Sequence, residues 1–158
     1  MAERPGDNNV SGIEPRHDEL KRLHAYWLAK KGDRRAPSRA DIDPIELAPL
    51  LPYVVLLDVE RAPLRFRFRL IGTAVVKGFN HDLTGAYFDE IEHTAEQRDL
   101  NQRLATVAAW GAPLCATWDY TGTDGRYVTY ERLALPLSSD GETVDMLFGG
   151  VVFDAAYG

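Results

Sequence analysis

The sequence predicts an α+β fold in which helices lie on one antiparallel sheet. Three observations carry this expectation: an amphipathic helical stretch near the start, a period-2 strand after it, and three closing strands joined by turns that contain Asp-Gly pairs. The chain has 158 residues, 45% hydrophobic and 27% charged, which is ordinary globular composition and enough length for one core.

Residues Met1 to Pro15 are rich in Pro, Gly, Asn and charge and read as a flexible leader, because they offer little apolar surface to offset ordering. From Arg16 to Lys31, Leu20, Leu23, Trp27 and Leu28 share one helical face, and Gly32 supplies the stop. A second, shorter helix is expected within Ala36 to Pro52, capped by Asp43, with Pro44 first and Glu46 completing a capping-box pattern.

Tyr53 to Glu60 and Leu64 to Gly72 read as a strand pair. In the second, Phe66, Phe68 and Leu70 alternate with Arg65, Arg67 and Arg69, so one face is buried and the arginines form a solvated or salt-bridged face. Thr73 to Ile91 is broken by Gly78, Asn80 and Gly85 and predicts one or two brief helical turns. Thr94 and Gln97 form a capping box for the main helix, which buries Leu100, Leu104 and Val107 and ends near Gly111. Three strands follow, Leu114 to Tyr120, Tyr127 to Leu137 and Val144 to Phe153, with turns at Asp124-Gly125 and Asp140-Gly141.

The formal net charge of −6 argues against a nucleic-acid partner, which calls for the opposite balance. No apolar run has the roughly 20 residues of a membrane span, and Met1 to Gly12 lacks the apolar core of a signal peptide, so a cytoplasmic protein is expected. The one cysteine, Cys115, cannot form an internal disulfide, which suits a reducing compartment. His17, His24, His81 and His93 show no ligand spacing, and no metal site is expected.

Three stretches carry a family likeness: Pro37-Ser-Arg-Ala-Asp-Ile-Asp-Pro44 with Leu50-Leu-Pro52, Phe66-Arg-Phe-Arg-Leu-Ile-Gly-Thr73 leading to Leu83-Thr-Gly85, and Tyr130-Glu-Arg-Leu-Ala-Leu-Pro-Leu137. Through them, and through Asp124-Gly125 and Val152-Phe-Asp154, the chain resembles the PAS superfamily, most closely bacterial single-domain PAS-like proteins. The resemblance implies a five-stranded antiparallel sheet in the order 2-1-5-4-3, helices on one face around a pocket, and an N-terminal flanking helix. It divides the chain into a leader at 1–15, N-terminal helices at 16–52 and a PAS-like domain at 53–158. It also implies a sensory or regulatory module in bacterial signalling, not an enzyme, that binds a small molecule or a partner protein. No cofactor is specified: haem-binding PAS domains carry a histidine within the long helix, whereas His93 precedes it, and Cys115 lacks the motif of the light-sensing members.

If Pro136 faces inward, as in similar domains, strand parity turns Ala134, Arg132, Tyr130 and Val128 inward with it. The same argument places Trp118, Tyr120, Phe148 and Val152 toward the helices, with Tyr87 and Leu104 contributed from the helical side. The candidate ligand-binding set is therefore Tyr87, Leu104, Trp118, Tyr120, Tyr130, Arg132 and Phe148, suited to a planar or carboxylate-bearing ligand because an arginine offers a two-pronged donor. The competing reading is that these aromatics fill the core and Arg132 pairs with a nearby acid.

Leu133, Leu135 and Leu147 are expected to face away from the pocket and to meet the Trp27 face of the first helix, within one chain or across a homodimer. Gly149-Gly150 within the last strand indicates a bulge or close backbone packing. Asp82, Asp89, Glu90 and Glu92 cluster near the expected rim. Two other functional readings stay open: a ligand-free PAS adaptor or dimerisation module, and a small cone-shaped α+β isomerase or dehydratase using Asp82 or His81 as base.

Overall fold

The computed structural model describes residues 13–91, 95–121 and 125–154. The elements are α1 (Asp18–Lys31), β1 (Val54–Glu60), β2 (Arg65–Ile71), α2 (Thr73–Phe79), α3 (Ala95–Ala108), β3 (Leu114–Thr121), β4 (Tyr127–Leu137) and β5 (Met146–Phe153). The strands form one antiparallel sheet in the order β2-β1-β5-β4-β3, the arrangement the resemblance implies. Among the described residues no helix is long and apolar enough to cross a membrane.

The sheet is buried on both sides. Under α3 and α2 lies a cluster that includes Leu57, Phe66, Phe68, Leu100, Leu104, Val107, Trp118 and Tyr130. On the opposite face α1 buries Leu20, Leu23 and Trp27 against Leu133, Leu135 and Phe148. Each such side chain stabilises by roughly 1.5–3 kcal/mol on removal from water. The apolar face of α1 is thus spent on its own sheet.

Ile13 and Pro15, within the stretch expected to be a leader, are buried. Residues 1–12 lie outside the described residues, and Ile13 is buried with the α1 cluster. The second helix expected within Ala36 to Pro52 is replaced by two 3-10 segments, Arg39–Asp41 and Ala48–Tyr53. Four prolines, Pro37, Pro44, Pro49 and Pro52, remove donors along this stretch. Glu46 does not cap it; its carboxylate instead accepts from the Tyr26 hydroxyl and pairs with Lys30 at 3.0 Å. The capping box is formed by Ser38 and Asp41.

Thr94 and Asp124 lie outside the described residues. The other end of α3 is held by Arg61, which donates to the carbonyls of Ala108 (3.0 Å) and Val144 (2.7 Å) and so satisfies one orphan carbonyl of the last turn. Two arginines of the β2 stripe are salt-bridged, Arg65 to Asp89 with two bonds of 2.7 and 2.8 Å and Arg69 to Asp58 at 3.2 Å, while Arg67 donates to the Gly85 carbonyl.

In β5 the parity differs by one residue from the expectation. Leu147 pairs with Pro136 and Leu57, whereas Phe148 pairs with Leu135 and Leu56. Directly paired residues share a face, so Leu147 points to α3, and Phe148 and Val152 point to α1. This corrects the assignment of Phe148 to the pocket. Gly149 and Gly150 mark close packing: a Cβ at 149 would fall on the Leu133 carbonyl, and one at 150 would lie 2.6 Å from the Tyr53 oxygen and 2.9 Å from Leu23.

Candidate functional site

The site begins with alternation along β4. Val128, Tyr130, Arg132 and Ala134 face α3, and β3 sets Trp118 beside Tyr130 and Ala116 beside Arg132. Trp118 and Tyr130 stack with centroids 6.1 Å apart and planes 23° apart. Phe79 of α2 and Phe153 of β5 complete the layer: Phe79 meets Tyr130 at 5.3 Å and Phe153 at 4.8 Å, both edge to face. Leu104 closes it from α3, fully buried, and Arg103 places its guanidinium 5.4 Å over the Trp118 ring.

Arg132 is the polar member of this layer. It is 5% exposed, its Nε–H has no hydrogen-bond partner, and burial pulls its pKa down. The Tyr130 oxygen is its polar neighbour, and the Tyr130 ring centroid lies 5.9 Å from its Cζ. The pairing acid expected by the competing reading is not present among the described residues, because Glu131, next in the chain, points through the sheet to the other face.

That other face carries a second polar cluster. Glu131 is 2% exposed and accepts from the backbone N–H groups of Arg16 (2.8 Å) and His17 (3.0 Å), with the His17 Nδ1 at 2.7 Å. The His17 Nε2 lies 2.8 Å from Asp154 Oδ1, and Arg16 reaches Asp154 at 3.4 Å. Glu131 and Asp154 thereby fix the two residues before α1 to the middle of β4 and to the residue that follows β5.

A cleft of about 360 Å³ opens ahead of the start of β1, where β5 runs on past its pairing with Val54, lined by Tyr53, Lys77, Gly78, Val128 and Asp154 among others. Phe153 belongs to the wall of this cleft and to the aromatic layer, so one ring separates solvent from Tyr130.

Of the expected site residues, Leu104, Trp118, Tyr130 and Arg132 come together. The Tyr120 side chain lies outside the described residues. Tyr87 is elsewhere: its hydroxyl donates to Glu60 at 2.9 Å and its ring lies 3.7 Å beneath the Arg65 guanidinium, beside edge strand β2. Three strand spacings separate β2 from β4, about 14 Å. Tyr87 therefore braces the edge of the sheet and leaves the pocket set. Phe79, Phe153, Glu131 and His17 were not singled out from sequence; the Tyr130–Phe153 pairing would have shown Phe153 had the β5 register been known.

Thr84 bonds hold the Asp82 carboxyl below its usual range, and Arg65 does the same for Asp89, so both are ionised near neutrality and are weak bases. Glu92 and His93 lie outside the described residues. Among the described residues no three His, Cys, Asp or Glu side chains converge on a metal position.

A family model described as PAS domain matches residues 15–152, nearly the whole described chain. The chain belongs to the PAS domain family, a sensory signalling class. Among solved structures it is similar to the Rhodobacter sphaeroides LOV protein, at 10% identity and a TM-score of 0.49, over 88% of this chain and 69% of that one. A search of curated proteins gave no match.

Proposed function

We propose that this chain is a non-enzymatic sensory and regulatory PAS module of the bacterial cytoplasm, which takes a small ligand beneath α3 and reports occupancy to a protein partner through α1. One observation carries the reading: the neighbours Glu131 and Arg132 on β4 point to opposite faces, Arg132 into the aromatic layer and Glu131 onto the start of α1. A shift of β4 at Arg132 is transmitted rigidly to the helix anchor one residue away. The ligand-side residues in this reading are Leu104, Trp118, Tyr130 and Arg132, with Phe79 and Phe153 added.

Native mass spectrometry against denatured mass, joined to hydrogen exchange, tests both halves. A copurified or added ligand should slow exchange in β3, β4 and α3 and change it in the first turns of α1. An empty protein whose exchange is indifferent to a metabolite panel would leave the adaptor reading in its place.

The adaptor reading has its own support in apolar groups left outside, Leu28 at 41% and Ile45 at 84% exposure, on segments tied together by Lys30 and Glu46. Because α1 is part of the core, removing it to test partner capture would expose the sheet; Leu28→Glu with Ile45→Glu is the cleaner variant. Light scattering on the same variant tests assembly of the chain as a homodimer through that surface.

A further inference from the structure

The guanidinium of Arg132 donates to the Tyr130 oxygen, but its Nε–H has no partner among the described residues. It is 95% shielded by the criterion of its 5% exposure, its Nε–H is unbonded, and Ala116 and Ala134 beside it bring only methyl groups. Gly149, paired with Ala134, brings no side chain at all. Val151 is paired with Arg132 on β5, Phe153 packs on the neighbouring Tyr130 ring, and Leu100 and Leu104 of α3 belong to the apolar cluster on this face of the sheet.

We propose that Arg132 anchors a small organic monoanion with a planar apolar body, an aromatic or conjugated carboxylate. This rests on the reading of the layer beneath α3 as a ligand site and names the ligand class. The carboxylate takes the free Nε–H and an adjacent Nη–H in the side-on, two-bond geometry that arginine favours. The ring then lies among Trp118, Tyr130 and Phe153. One buried cation balances one negative charge, and the alanines and leucines around it add no donors for a phosphate dianion. The route in passes the cleft, where the Phe153 ring must turn.

The test uses the full chain with benzoate and indole-3-acetate as probes, benzamide as the neutral counterpart and benzylamine as the cation, read by thermal midpoint and calorimetric titration. Both carboxylates should raise the midpoint and bind saturably, at least tenfold more tightly than benzamide, with benzylamine inert. Arg132→Met should raise the ligand-free midpoint, because it removes an uncompensated charge, and abolish the carboxylate response; Arg132→Lys, which keeps the charge without the fork, should weaken binding at least tenfold. No response to either carboxylate, or a lower ligand-free midpoint in Arg132→Met, overturns the anion assignment. Equal binding of benzamide and benzoate, unchanged in Arg132→Lys, overturns it while leaving a ligand chamber in place; failure of the chamber itself would show as no binding of any probe and no copurified mass.

Discussion

The indole Nε1–H of Trp27 donates to the carbonyl oxygen of Pro136 across 2.9 Å in the buried layer between α1 and the sheet. The pairing of β3 with β4 ends at Leu114 and Ala134, so at Pro136 that side of β4 has no strand neighbour. A proline there costs no ladder bond, and its carbonyl is open to the helix. Trp27→Phe keeps most of the packing but leaves that oxygen unsatisfied and should cost about 1–3 kcal/mol. Trp27→Ala adds a cavity and should cost about 3–5 kcal/mol. Urea denaturation of both variants measures the difference.

The Glu131 carboxylate should govern the start of α1 more than the stability of α3. Glu131→Ala strands the N–H groups of Arg16 and His17 and should cost about 2–3 kcal/mol, bonds to a charged acceptor being the stronger kind. Hydrogen exchange should speed up in residues 18–22 before it does in Leu100 to Val107. Equal acceleration in both helices would argue against local anchoring.

Gly78 sits where α2 meets the Phe153 ring, and a Cβ there would overlap it. Alanine is the better helix former by about 1 kcal/mol, yet Gly78→Ala should lower stability by about 1–3 kcal/mol because the ring must shift within the layer of Phe79 and Tyr130. A thermal midpoint above that of the parent protein would mean the ring relocates freely.

Stability should fall on the acid side in two stages. Burial lowers the His24 pKa, so the unfolded chain takes up its proton first, and stability drops as the pH falls through about 6.5 and levels off below the folded value. Asp41, Asp82, Asp89 and Asp140 have lowered folded values, from the Ser38 backbone N–H, Thr84, Arg65 and the Thr143 backbone N–H respectively. Their contribution is complete above about pH 4 and is lost as the pH falls through those lowered values. Denaturation midpoints across pH 3 to 7.5 should show both limbs. His24→Gln should flatten the upper one and Asp89→Asn the lower one.

The strands were legible because periodicity and turn chemistry are local signals: Phe66 and Phe68 alternate with arginine, and Asp140 accepts the N–H groups of Glu142 and Thr143 as its turn requires; their order in the sheet followed from the family resemblance. Parity in β5 was not legible. Nearly every residue from Met146 to Val152 is buried, so no alternation distinguishes Leu147 from Phe148, and only the ladder to Leu135 and Pro136 fixes the face. Of the candidate site, Trp118, Tyr130 and Arg132 followed from the parity of β3 and β4, whereas Tyr87 was misplaced because its position depends on Glu60 and Arg65, distant in sequence. The role of Glu131 depends on His17, 114 residues away, and no spacing rule reaches that far.

Gly150 leaves a hollow in the middle strand into which Leu20 and Leu23 descend. The depth at which the first helix rides is therefore set by an omitted side chain, and an alanine there would act as a wedge, lifting the helix while its foot stays tied near Asp154.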